Sequence, residues 1–247
     1  MPPWWSDKMK QTLLIGLGCL FLYQGVLWWT PYASVLPSIP LLAQDYAALL
    51  LSWTWVQSLG VSLLHSLILL LFLGLLSMGL VIIGLSLPWV KALVNQISEW
   101  MASTPTIAVL LIGLILFGLS GSVNIIVSFI VWPLVYERIN FALTSLTEDE
   151  LDVMKIFAPT FVEEWVNVRL ARVVDELGSM MNTIFPTTLK ILIMVEVLHS
   201  QTSGYGQLYQ IARQNFQIER LLTLTIHLIV IIKIMKTLTC YFFHKST

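Results

Sequence analysis

Charge is what this sequence has least of. Only 11% of its 247 residues are Asp, Glu, Lys or Arg, less than half of the roughly 25% carried by a soluble domain. A chain this poor in charge cannot cover a water-facing surface, and a soluble globular fold is excluded. The net charge is −1 and the 13 Lys and Arg residues are scattered, so the basic patch that nucleic acid requires is missing and no nucleic-acid partner is expected. Cysteine is scarce too. Cys19 and Cys240 stand near opposite ends of the chain, without CxxC or any other ligand spacing. The sequence has no G-x-x-x-x-G-K-[ST], G-x-S-x-G or H-E-x-x-H motif. No catalytic residue, bound metal or cofactor is therefore expected in this chain.

What the sequence has instead is apolar length. Hydrophobic residues make up 57% of it, and the mean hydropathy is +0.83. These values describe an all-α integral membrane protein, in which each span takes about 20 apolar residues. The length suits one transmembrane domain and leaves no room for a large soluble one. Apolar runs predict six spans, at about 12–29, 61–85, 106–119, 122–141, 179–198 and 221–239. The first run follows Trp4 and Trp5 and lacks a small-residue cleavage site after it, so it reads as a retained span. Pro31, Pro88 and Pro105 punctuate the series. The less apolar stretch 89–103 reads as an interfacial helix. A hinge at Gly118-Leu119-Ser120-Gly121 is short enough to make spans three and four antiparallel neighbours. Gly74, Gly79 and Gly84 on span two offer close helix approach.

With both termini cytoplasmic, nine basic residues fall in cytoplasmic segments and two, Arg213 and Arg220, in outer loops, which agrees with the positive-inside rule. The remaining two, Lys190 and Lys233, lie within spans.

One long polar interruption, 143–178, separates spans four and five and carries three basic and eight acidic residues. Thr147 is a suitable N-cap, and the acids at 148–150 suit the first turn of a helix. Leu151, Met154 and Phe157 then recur at helical spacing. Pro159 ends this helix at an Ala158-Pro159 elbow. A second helix follows with Phe161, Trp165 and Val168 on one side. Long connections with their own helices are usually functional, though a plain solvated connector is the alternative.

Ionisable residues inside spans cost at least about 2.5 kcal/mol each on insertion scales, so Lys190 and Glu196 should face the bundle interior or a water path. Six residues apart, they are turned from each other by about 120° on an ideal helix. Asn182, with Thr183, Thr187 and Thr188 around Pro186, either lines a path or bonds neighbouring helices. His65 and His227 lack ligand partners at metal spacing and read as packing histidines. Asn124 and Ser128 are open to either reading.

These stretches resemble the permeases of bacterial ABC importers. The EAA loop of that family runs E-A-A, three residues, G, nine residues, I-x-L-P. Here Asp152-Val153-Met154, Ala158 and Val168-Arg169-Leu170-Ala171 stand at those positions with both spacings intact. Alanine replaces the glycine, and Pro159 supplies the helix break. Downstream, Lys190 and Glu196 match the W-K, five residues, E pattern of the alkanesulfonate, nitrate and taurine branch. Gly204-Tyr205-Gly206 through Ala212-Arg213 and Phe216 resembles its G-L-G-x-L-x-x-x-A-R-x-x-F segment. Leu36-Pro37-Ser38, Thr104-Pro105-Thr106-Ile107-Ala108 and Phe117-Gly118 resemble its L-P-S-P, I-P-x-x-A and W-F-G.

The resemblance implies the type I importer (MetI-like) fold, six transmembrane helices with a cytoplasmic coupling-helix loop between spans four and five, in the bacterial cytoplasmic (inner) membrane. It implies three kinds of partner: a second permease subunit, most simply an identical copy; two ABC ATPase subunits, which bind the ATP and Mg; and an extracytoplasmic solute-binding protein. In the loop, Phe157, Phe161 and Trp165 would anchor the ATPase, Asp152 would make a rim contact, and Ala158-Pro159 would set the angle. Lys190, Glu196 and Asn182 would belong to the translocation path, and Gly204 and Gly206 to the side facing the binding protein. The solute expected first is a small organic or inorganic anion, with a thiamine-precursor pyrimidine or other small nutrient as the alternative. An ATPase-independent secondary transporter or a membrane scaffold is the alternative of another class.

Overall fold

The computed structural model describes residues 14, 18, 22–27, 29, 36–145, 152, 156, 157, 161–198 and 203–243. Every regular element among them is helical, with no strand. In chain order they are α1 (Ile39–Leu51), α2 (Thr54–Ser86), α3 (Pro88–Ser103), α4 (Thr106–Thr144), α5 (Phe161–Glu164), a π-turn (Trp165–Arg169), α6 (Leu170–Leu198), α7 (Tyr205–Gln214) and α8 (Ile218–Phe243).

Four segments are long and apolar enough to cross a membrane: Thr54–Ser86, Val123–Thr144, Asn167–Leu198 and Ile218–Thr239. A fifth exists if Pro88–Ser103 and Thr106–Gly118, which meet at 98°, form one broken span. The chain is thus a multi-pass membrane protein of four to five described candidate spans. Half of the run at 12–29 lies outside the described residues, and those described, 14, 18, 22–27 and 29, are helical.

Proline and glycine set the breaks. Pro88 occupies the first turn of α3, where its missing N–H leaves no bond unmade. At the other end of α3, Ser103 and Thr104 turn their hydroxyls back to the carbonyls of Glu99 (2.7 Å) and Trp100 (2.8 Å), and Pro105 starts the bend. Within α4 the helix is interrupted at Gly118, whose φ of 67° and ψ of −176° only glycine adopts without strain. A Cβ on Gly113 would sit 2.4 Å from Ile126 Cγ1. In a continuous helix those two residues would be about 20 Å apart, so the two arms of α4 fold back as an antiparallel hairpin.

The chain divides into two compact units, residues 53–210 with 228–247 and residues 1–52 with 211–227. In the larger, α2, α3, α4 and α6 pack around a core that includes Leu73, Leu110, Ile126, Val127, Val131, Val135, Leu143 and Leu192. Buried residues of α2, namely Leu59, Ser62, Ser66, Leu69 and Leu73, recur every three or four positions and form one inward stripe. Gly84 approaches Lys91 (3.2 Å from a built Cβ) and Gly74 approaches Ile139 (3.9 Å), whereas nothing lies within 4 Å of Gly79.

Contacts fix the helix directions. Ser62 meets Glu196, Gly74 meets Ile139, and Arg138 meets Glu176. Helix α2 and the second arm of α4 therefore run parallel, with α6 antiparallel to both. Ser62 and Glu196 mark one end of this unit, and Leu143 with Arg169 the other. In the smaller unit, Arg220 pairs with Asp45 at 2.9 Å and Tyr46 packs edge-on against His227 at 5.9 Å.

Candidate functional site

Three constellations in the larger unit carry the chemistry. The first is a buried carboxylate. Glu196 is 1% exposed, near the C-terminal end of α6. The Ser62 hydroxyl reaches its two oxygens at 3.1 and 2.9 Å, and the Gly206 N–H donates to Oε2 at 2.9 Å. The same Ser62 oxygen accepts the Tyr205 N–H at 2.8 Å. A buried charge needs such donors, since one left unsolvated costs several kcal/mol. The backbone that supplies them has to come very close. A Cβ on Gly204 would stand 2.6 Å from Glu196 Oε1, and one on Gly206 2.2 Å from Glu196 Cβ and 2.9 Å from the Ile193 carbonyl. Glycine at both positions lets the turn before α7 fold over the carboxylate, joining α2, α6 and α7.

The second is a cleft of about 710 Å³ between α2 and the second arm of α4, closed at one side by Met101. Its walls are mostly apolar, with Phe72, Phe129 and Trp132 among them, and its polar groups are His65, Asn124 and Ser128. His65 Nε2 donates to Asn124 Oδ1 at 2.5 Å. His65 lies one turn from Ser62, which places the polar end of the cleft toward the Glu196 end of the unit.

The third is a clamp at the opposite end. Arg169 donates to the Leu143 carbonyl at 2.6 Å, pairs with Glu164 at 2.6 Å and lies over the Trp165 ring at 5.4 Å from its centroid. Arg172 donates to the Ser145 carbonyl. Both cations meet the last carbonyls of α4, where the helix dipole favours positive charge. The polar interruption between two spans is thereby tied at its far side to the helix before it. Within that interruption Ile156 and Phe157 are helical and 77% and 75% exposed.

Of the residues singled out from sequence, Glu196, Gly204 and Gly206 meet in one cluster. Lys190 is exposed on α6 and takes no part in the cleft wall. Asn182 accepts a hydrogen bond from Thr239 and joins α6 to α8. Thr183, Thr187 and Thr188 return their hydroxyls to carbonyls one turn back on α6. Asp152 is exposed and Trp165 half-buried. Ala158 and Pro159 lie outside the described residues, as does the side chain of Phe161.

Ser62 escapes a motif search, but the stripe of α2 positions buried every three or four residues contains it. Among the described residues no group of three His, Cys, Asp or Glu side chains could hold a metal ion. No protein-family model matches the chain, and no curated protein matches it.

Proposed function

We propose that this chain is the membrane-spanning permease subunit of an ABC importer. It would have six spans: the run at 12–29, α2, the first arm of α4 with α3 lying at the cytoplasmic interface before it, the second arm, α6 and α8. In this reading it sits in a bacterial cytoplasmic membrane with both termini inside and pairs with a second permease subunit. A solute-binding protein delivers the solute from outside, and two copies of a separate ATPase work from within.

The observation that carries the proposal is the loop between the second arm and α6. Two large apolar side chains, Ile156 and Phe157, are exposed on an acidic segment whose far side is bound by Arg169 and Arg172 to the end of α4. Exposed apolar groups rimmed by charge are the mark of a protein contact. A segment anchored to two spans can pass the motion of a bound motor into both. Closure of the ATPase pair would draw two such loops together and open the path outward, and hydrolysis would reset it. Further support comes from Glu196, Gly204 and Gly206, positions of two separate motifs of the resemblance, which meet in space.

Affinity purification of the tagged chain from its native membrane tests this. An ATPase should accompany it and be lost on Phe157→Asp while the chain stays folded. Uptake by the purified chain without any ATPase would favour a secondary transporter. A small anionic solute requires Lys190 to face the path, and Lys190→Met should then lower uptake without loss of assembly.

A further inference from the structure

The cleft lies between two candidate membrane spans, with its polar groups toward the start of the second arm. Asn124 is exposed there, and its carbonyl oxygen is taken by His65. The amide NH₂ is left pointing at no described acceptor. Hydrocarbon offers such donors nothing, and polar groups within spans face a cavity, water or another helix. The walls around this pair are apolar and aromatic, and the volume of about 710 Å³ lies within the 300–1,000 Å³ of small-molecule sites. Among the described residues no Lys, Arg, Asp or Glu lines it. An anion entering here would shed its hydration against apolar walls with no cation to receive it.

We propose that this cleft is the solute-binding site of the permease and that the solute is uncharged, with a flat apolar or aromatic body and one hydrogen-bonding edge. The body packs against Phe72, Phe129 and Trp132. The edge presents an acceptor to the Asn124 amide, and Ser128, one turn further along the same arm, donates or accepts as the solute requires. His65 is a positioning residue: by holding Asn124 Oδ1 it fixes which face of the amide is offered to the solute. This inference rests on the permease reading and narrows its solute away from small anions.

The closing experiment uses two molecules of nearly equal shape and different charge, indole-3-acetamide and indole-3-acetate. Binding of each to the full chain in phospholipid nanodiscs is measured by ligand-observed NMR. The amide should bind in the millimolar range or better, and the acetate at least about tenfold more weakly. Asn124→Leu, which removes the donors at nearly constant volume, should weaken the amide about threefold to tenfold, as loss of one hydrogen bond does. Ser128→Phe, which fills the cleft, should abolish binding even if Asn124→Leu proves unstable. The proposal is overturned by tighter binding of the acetate, by amide binding that ignores both substitutions, or by no binding of the amide because lipid chains fill the cleft. The ATPase association separates this result from the permease reading. Amide binding without a co-purifying ATPase leaves the cleft standing and removes the permease. An ATPase without amide binding does the reverse.

Discussion

Gly206 shows how little room a single atom has in this protein. Its Cβ would overlap Glu196 Cβ at 2.2 Å and press on the Ile193 carbonyl at 2.9 Å, a backbone atom that cannot swing aside. Gly206→Ala should therefore destabilise by about 1–3 kcal/mol, the usual cost of overpacking. In a thermal unfolding scan it should melt clearly below the parent, while Gly74→Ala, with 3.9 Å to its nearest neighbour, should match the parent. Ser62 is equally constrained. Its hydroxyl both donates to Glu196 and accepts from Tyr205, so Ser62→Ala leaves a buried carboxylate and a buried N–H each short of a partner. That should cost about 1–3 kcal/mol. The same scan reads it, and an unchanged midpoint would mean that the carboxylate is held by other groups.

At the scale of elements, the second arm of α4 and α6 owe their junction to arginines at a helix end. Arg169→Ala removes a charge-assisted bond to the Leu143 carbonyl and the Glu164 pair at once. Hydrogen exchange in Trp165–Arg169 should then rise by the loss of about 1–3 kcal/mol of local protection, while the core of α6 around Leu192 stays protected.

Such a clamp is only partly legible in a sequence. The register around Arg169 and the acidic composition of the loop mark the segment. That its cation reaches 26 residues back to the end of α4 is a matter of tertiary geometry. The spans were readable because apolar length at bilayer scale has few meanings. Their limits were less so. Span two begins at Thr54 rather than near Val61, because the helix carries on without a break through residues 54–60. The Gly118 hinge was readable because few residues other than glycine tolerate its dihedrals. Glu196 was legible as an expensive intramembrane acid. Its answer, a hydroxyl 134 positions away and a glycine N–H in the next turn, has no local signature. Lys190 could be placed on a different side of the helix from Glu196 by periodicity alone, and it is exposed where Glu196 is buried.

For the whole molecule, the permease reading gives the two ends of the larger unit different tasks. The Glu196 end is closed by a turn that only glycine can make, which suits a rigid landing surface for a protein arriving from outside. The Arg169 end carries exposed apolar side chains on an acidic segment, which suits a partner that grips and moves. The basic residues agree with this assignment, since nine of 13 fall on the segments that the permease topology puts inside. The antiparallel course of α6 against α2 and the second arm places Phe157 and Gln207 on opposite faces of the bilayer whichever way the protein is inserted. In a background with Cys19 and Cys240 replaced, Phe157→Cys should resist a membrane-impermeant maleimide applied to intact cells and react after permeabilisation. Gln207→Cys, exposed on α7, should react in both conditions. Reversal of the two patterns would keep the fold and turn the protein over, putting the loop out of reach of any cytoplasmic motor. Labelling of both from the same side would contradict the helix directions themselves, because Ser62–Glu196 and Arg138–Glu176 could not then lie at opposite ends of spans crossing the bilayer.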